Sequence, residues 1–267
     1  MAEMRQKSRH EKITPVFDSG GKQMSERDRL FETEITQPGD FVFDDRVVSV
    51  FPDMINRSVP GYGLVVPMIG MLARRYAQPG SNLYDLGCSL GAVSLAMRAA
   101  VRAGGVRILA VDRSPDMIRR LGEILRNADE PGLVPVTPLQ QDVMETPVDN
   151  ASVVVLNFTL QFIVPEKRPD LLTRIARGLN PGGILVISEK IRFQDPFEQD
   201  VLTEWHQDYK RAQGYSDLEI ARKRDALENV MKPDDLTLHR SRLEEAGFGR
   251  VVQWFQGFSF ISLVAFK

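Results

Sequence analysis

The feature that most constrains this chain is an octapeptide, Tyr84-Asp85-Leu86-Gly87-Cys88-Ser89-Leu90-Gly91. It joins a short apolar run, Asn82–Leu86, to a helical pattern, Ala92–Val101. Glycines at a strand-to-helix junction let the backbone pass close to a bound molecule and leave helix N–H groups aimed at it. The alternation repeats downstream. Arg107–Val111 reads as a strand and Pro115–Asn127 as a helix that Ser114 can cap. Val134–Leu139 reads as a weak strand, Ser152–Asn157 as a buried one rich in β-branched residues, and Arg168–Leu179 as a helix. Asn180-Pro181-Gly182-Gly183 reads as a turn and Ile184–Ser188 as a strand. Nearly continuous apolar strands between helices predict a parallel sheet covered on both faces.

The flanks depart from that rhythm. Residues 1–25 are polar and aperiodic and read as a flexible extension, leaving 26–267 as one domain. From Pro52 to Ala77 the pattern is helical, interrupted at Val59-Pro60-Gly61-Tyr62. Residues 197–229 are charged, helical and strandless, too long for an ordinary crossover, so a helical insertion is expected over about 195–230. Leu236–Ala246 follows as a helix, with His239 on a charged face. Arg250–Phe255 and Phe258–Phe266 then read as two strands close enough to pair antiparallel. The expected fold is α/β and doubly wound, with a mostly parallel seven-stranded sheet, an antiparallel C-terminal hairpin and a helical insertion. That plan resembles the class I S-adenosylmethionine-dependent methyltransferases.

Composition narrows the function. Lys and Arg total 34 against 36 Asp and Glu, a net charge of −2, which disfavours direct binding to a nucleic-acid backbone. The single cysteine excludes an internal disulfide framework, and with three scattered histidines it offers no metal-ligand cluster. The longest apolar stretch, Gly63 to Ala73, is too short to cross a membrane and carries Pro67. The N-terminus has no apolar core of a signal peptide, so the expected location is the cytoplasm.

The octapeptide resembles the D-x-G-x-G-x-G loop that binds the methionine half of S-adenosylmethionine, with Ser89 in the middle glycine's place; Gly87, Cys88 and Ser89 are then cofactor contacts. The same letters spell G-x-S-x-G, a hydrolase nucleophile elbow. A hydrolase needs a later acid and then a histidine, and only His206 and His239 follow. It also leaves Asp85 without a task. Asp112, about 20 residues beyond Gly91, ends the second strand where an acid can hold ribose hydroxyls. NAD would use the same pair, but the G-x-G-x-x-G spacing is absent. Asp142 follows the third strand, where its carboxylate can accept from an adenine amino group while the N–H of Val143 meets a ring nitrogen. Asn157 ends the fourth strand, beyond which ligands of open α/β sheets lie. Cys88 reads as a small residue packed within its loop, not as a nucleophile, and Trp205 and Trp254 as core or interface. The insertion carries His206-Gln207-Asp208-Tyr209-Lys210-Arg211 and Arg222-Lys223-Arg224. Such runs are solvated faces by default, although arginines above a cofactor site can fix a carboxylate bidentately.

A more specific resemblance runs from about Gly39 to Lys267. It rests on Val50-Phe51-Pro52-Asp53-Met54-Ile55, Arg57-Ser58-Val59-Pro60-Gly61-Tyr62, the octapeptide and Val155-Leu156-Asn157-Phe158-Thr159-Leu160-Gln161-Phe162. Leu179-Asn180-Pro181-Gly182-Gly183, Gly214-Tyr215-Ser216 and Leu227-Glu228-Asn229-Val230-Met231 extend it. These segments resemble the carboxy-S-adenosyl-L-methionine synthases; the N-terminal extension and Arg113, where a smaller polar residue is expected, depart from the pattern. The resemblance implies a homodimeric enzyme that makes carboxy-S-adenosyl-L-methionine from S-adenosyl-L-methionine and prephenate, releasing phenylpyruvate. Its product would serve an enzyme that modifies wobble uridine in tRNA. It also implies that the cofactor methyl, acidified by the sulfonium, is deprotonated to an ylide that captures carbon dioxide. By motif match, Tyr62, Gly87, Cys88, Ser89, Asp112, Arg113, Asp142, Val143 and Asn157 are the implied cofactor contacts, and Arg224 the carboxylate-binding arginine. The insertion and the segment before Tyr62 are the implied interface elements, with the subunit supplying Arg224 left open. A conventional methyltransferase acting on a small molecule or tRNA, and a non-catalytic cofactor-binding scaffold, are the competing readings.

Overall fold

The computed structural model describes Asp28 and residues 45–128, 132–228 and 230–267; the extension expected over 1–25 lies outside them. Seven strands form one sheet in the order β3-β2-β1-β4-β5-β7-β6. They are β1 (Asn82–Leu86), β2 (Arg107–Asp112), β3 (Val136–Gln140), β4 (Ala151–Asn157), β5 (Leu179–Lys190), β6 (Arg250–Gly257) and β7 (Phe260–Phe266). The first five are parallel, and β7 runs antiparallel between β5 and β6. The seven strands match the sequence reading, with the hairpin link at Phe258-Ser259, two residues later than expected.

Eight helices accompany the strands among the described residues: α1 (Asp45–Ser58), α2 (Tyr62–Tyr76), α3 (Ala92–Ala100), α4 (Pro115–Asn127), α5 (Arg168–Gly178), α6 (Pro196–Ala212), α7 (Asp217–Glu228) and α8 (Leu236–Glu245). The side-chain alternation of β4 sets the two layers. Val154 and Leu156 pack with Leu171, Ile175 and Leu243 on one face, while Val153 and Val155 pack with Val65, Ile69, Val93 and Met97 on the other. Each such fully buried aliphatic side chain stabilises the fold by about 1.5–3 kcal/mol. Covering both faces explains why β4 reads as an unbroken apolar run.

Three local expectations are corrected. Helix α1 begins at Asp45, not Pro52, because Pro52 sits inside it and is tolerated there. Residues 180–183 are not a free turn. They form an irregularity within β5, between Leu179 opposite Ala151 and Ile184 opposite Val153, with Gly182 at φ +77° supplying the left-handed bend. His239 is not on a solvated face: it is 3% exposed beside the Arg168 cluster.

That cluster ties the sheet to the chain leaving the insertion. Arg168, fully buried, donates to the carbonyls of Ile163 at 2.8 Å and Lys232 at 2.7 Å and pairs with Asp234, which also pairs with Arg242. Removing Arg168 leaves the Ile163 and Lys232 carbonyls without their donor and Asp234 with Arg242 alone in a low-dielectric site. Arg168→Met is therefore expected to lower the unfolding free energy by about 3–5 kcal/mol in urea titrations. A loss below about 1 kcal/mol would contradict this pinning role.

Candidate functional site

One cavity of about 440 Å³ opens at the carboxyl ends of β1, β2, β4 and β5. Tyr62, Gly87, Cys88, Ser89, Asp112, Arg113, Asp142, Val143, Asn157 and Arg224 all line it, so the ten residues picked out by motif match lie around one cavity. The position is the crevice where parallel strands diverge, the default ligand site of open α/β sheets.

The loop after β1 is held from below. The N–H groups of Gly87 and Cys88 donate to the Val111 carbonyl at 2.8 and 2.9 Å. Asp85, 1% exposed, accepts from the backbone N–H and hydroxyl of Ser94 at 2.9 and 2.6 Å and so anchors the first turn of α3. Burial pushes its carboxyl up to about 6 against the pull of those donors. Gly87 stands at φ +82°, and a Cβ there would meet Thr159 Oγ1 at 2.4 Å, so both conformation and space demand glycine. Ser89, at the position where the motif has its middle glycine, adopts φ +52°. The backbone conformation is retained and the side chain tolerates it.

Asp112 has a second task beyond the one its position suggested. Its two carboxylate oxygens accept from the N–H groups of Ser89 and Ser114, each at 2.9 Å, so it clasps the loop to the start of α4. Burial raises its pKa. Each oxygen keeps a lone pair for a hydroxyl of a ligand. Asp142 Oδ1 accepts from the Met144 N–H at 2.7 Å, and Arg174 on α5 donates to the Val143 carbonyl at 2.6 Å, fixing this turn from outside the cavity. Asn157 Oδ1 is buried without a hydrogen-bond partner. A buried acceptor left bare within a cavity is a position for a ligand donor. Such donors are carried by the amino group and sugar of S-adenosylmethionine, so this chain's residues fit that molecule. The elbow reading finds no support in the contacts. Ser89 Oγ faces Met117 Sδ at 3.4 Å, and no described hydrogen bond links it to a histidine. Burial pushes the Cys88 thiol well up, as befits a packed side chain.

The roof comes from the insertion. His206 Nε2 donates to the Ser58 carbonyl at 2.8 Å, and its ring meets Phe260 edge-on at 4.9 Å between centroids. Lys223, 5% exposed, donates to Ser58 Oγ at 2.7 Å and lies 3.6 Å from Asp28, whose carboxylate accepts from Tyr215 at 2.7 Å. The Arg57 guanidinium covers the Tyr215 ring at 4.0 Å. Ser216 and Glu219 exchange hydrogen bonds of 2.7 and 3.3 Å at the start of α7, a capping box legible as S-x-x-E in the sequence and overlooked there. The basic runs therefore divide. Arg211 pairs with Asp208 and Asp217 in solvent, whereas Lys210 and Lys223 turn to the cavity. Arg224 reaches the cavity with two-thirds of its side chain exposed and a 3.3 Å bond to Asp225. Lys190, at the end of β5, was missed by sequence reasoning. Its N–H donates to Gln161 Oε1 at 3.0 Å, and Gln161 is itself fixed by the buried carboxylate of Glu189, which burial pushes up to about 8.

Trp205, expected in core or interface, is half exposed and touches Phe258 edge-on. Among the described residues no helix is long and apolar enough to cross a membrane.

This sheet order, loop and crevice are those of the class I S-adenosylmethionine-dependent methyltransferases. The family model described as a methyltransferase domain matches residues 83–183. An O-methyltransferase family protein from Burkholderia thailandensis shares the fold, with a TM-score of 0.62 at 16% identity over 84% of this chain and 60% of that one. Within that class the chain is similar to the carboxy-S-adenosyl-L-methionine synthases of a Geobacter species and of Trichlorobacter lovleyi. It is 56% and 57% identical to them over 240 residues, 90% of this chain and 98% of each relative. The chain belongs to the carboxy-S-adenosyl-L-methionine synthase family and is an enzyme of that kind.

Gly87→Ala is expected to destabilise the protein by about 1–3 kcal/mol through the forced backbone conformation and the Thr159 clash, and to weaken S-adenosylmethionine binding. Thermal unfolding and calorimetric titration check both, and an unchanged affinity would remove the loop from the site. The histidines set an acid limit. Burial brings His206 down to about 3 and His239 to about 4, from an ordinary 6.5. Between pH 6.5 and 4 the unfolded chain then binds more protons than the folded one, so stability falls as pH falls. His206→Gln should flatten part of that slope in melting temperatures recorded against pH; an identical slope would mean that His206 is not held neutral.

Proposed function

We propose that this enzyme takes its carboxyl group from prephenate, and that its carboxylated product feeds the modification of wobble uridine in tRNA. The observation that carries this reading is the charge layout of one cavity. Carboxylates at Asp112 and Asp142 line the side suited to an adenosine, and the basic side chains of Lys190, Lys210 and Arg224 line the side under the insertion. A methyl donor alone leaves that second side without a purpose, whereas an anionic donor and an anionic product both need it.

The chemistry that S-adenosylmethionine brings is a methyl made acidic by its sulfonium and able to accept carbon dioxide. This chain's residues do the rest. The glycine loop, Asp112 and Asn157 fix the position of the sulfur, which supplies much of the rate through placement. Tyr62, Phe158 and Phe260 pack their rings beside the cavity, at 6.2 and 6.1 Å between neighbouring centroids, and keep water from the reacting carbon. Arg224 holds the new carboxylate through a bidentate guanidinium. The hydroxide released as prephenate aromatises can take the methyl proton, so no protein base is required. The protein acts as a homodimer in the cytoplasm, with the insertion (197–229) and the segment before Tyr62 as interface elements.

Mass spectrometry of the small molecule that co-purifies with the protein is expected to find a cofactor heavier by one carboxyl group, and incubation with prephenate to release phenylpyruvate. Finding S-adenosylmethionine turned over to S-adenosylhomocysteine instead, with no carboxylated product, would point to methyl transfer. No turnover with prephenate would point to a scaffold. Arg224→Ala should cut the carboxylated product by at least about tenfold, the value of one charge-assisted contact, while S-adenosylmethionine still binds. An undiminished yield would end the role given to Arg224.

A further inference from the structure

The cavity holds two ammonium groups that the carboxylate-binding role of Arg224 does not use. Lys190 ends β5 and Lys210 lies one turn beyond His206 on the same face of α6, the i and i+4 relation that aims both side chains inward. Among the described contacts neither ammonium has a hydrogen-bond or ion-pair partner. Lys223 differs: Ser58, Tyr215 and Asp28 already engage it. Two amines facing one cavity without an acid to answer them form a site for an anion.

The chemistry of the donor says which anion. Prephenate carries two carboxylates, one lost as carbon dioxide and one retained on its pyruvyl arm through to phenylpyruvate. The departing group must stand next to the sulfonium methyl, so it cannot also be the handle. Anchoring has to come from the carboxylate that stays. We propose that Lys190 and Lys210 form a subsite that grips the retained pyruvyl carboxylate of the carboxyl donor, separate from the position at which Arg224 meets the new carboxylate. This rests on the prephenate reading above.

Electrostatics agree with the placement. Burial, then the neighbouring charges of Lys223, Lys190 and Arg224, brings the Lys210 ammonium down to about 7, and burial lowers Lys190. Lys223, Arg224 and His206 are the other titratable side chains facing them, and His206 is held neutral. An arriving carboxylate reverses the repulsion and raises the pKa of Lys210, so binding takes up protons near pH 8.

The test uses phenylpyruvate, which binds without turning over, on the full-length protein loaded with S-adenosylmethionine. Lys190→Gln and Lys210→Gln should each weaken phenylpyruvate binding and raise the KM for prephenate at least tenfold. S-adenosylmethionine affinity should stay within twofold, and Lys210→Arg should keep most of the binding. Phenylpyruvate affinity within twofold of the native value in both glutamine variants overturns the subsite. So does an equal loss of S-adenosylmethionine, which would assign the lysines to the cofactor's own carboxylate. Should a variant not fold, calorimetry of the native protein in two buffers of different ionisation enthalpy decides: phenylpyruvate binding at pH 8 without proton uptake refutes the idea. The two readings fail separately. A native protein that makes no carboxylated product from prephenate defeats the proposed function, whereas normal product with indifferent lysines defeats only the subsite.

Discussion

The site depends on a buried polar knot at the end of α1. Ser58 gives its carbonyl to His206 and its hydroxyl to Lys223, while Tyr215 bridges to Asp28 and lies beneath Arg57. Through these contacts α6 and α7 are fastened to α1 beside the cavity. Without them the insertion would be two charged helices with weak apolar faces, unable to bury enough surface to stay in place. Buried polar networks of this kind cost desolvation, and burial brings Lys223 down to about 8 even with Asp28 beside it. What they provide is a single geometry, and the cavity needs one, because its cations act only if they are held where an anion will sit.

The opposite wall is rigid for a different reason. The loop after β1, the turn after β3 and the segment after β4 each carry a left-handed or tightly bonded residue. Gly87 and Ser89 have positive φ, and so does Phe158 immediately after Asn157. An aromatic residue in that region is strained by about 1–3 kcal/mol and persists because the fold around it over-determines it. Its N–H donates to the Ser188 carbonyl at 2.7 Å, and its ring packs on Tyr62 and Phe260. The strain turns the chain sharply at the tip of β4, which leaves Asn157 Oδ1 buried in the crevice without a partner.

Much of this was legible in the sequence. The β4 run announced a strand buried on both faces, and the positions of Asp85 through Gly91, Asp112, Asp142 and Asn157 followed from strand tips in a doubly wound sheet. Other features were not. The second duty of Asp112, clasping Ser89 and Ser114, depends on how close two loops come. Lys190 falls beyond the strand read as Ile184–Ser188 and drew no reading, and Lys210 looked like one more charge on a solvated helix. His239 looked exposed for the same reason. Periodicity ranks faces by average polarity, so it cannot identify the one charged residue on a helix that turns inward.

The sequence by itself determined the layers, the strand directions and the cofactor-facing loop, because these rest on local periodicity, backbone freedom at glycine and the short reach of a hairpin. Only the tertiary structure decided which cations of the insertion face the cavity and which face water. That choice is made by contacts between residues more than a hundred positions apart, such as His206 with Ser58 and Lys223 with Ser58. The energy of such contacts depends on burial, a property no single segment of the chain possesses.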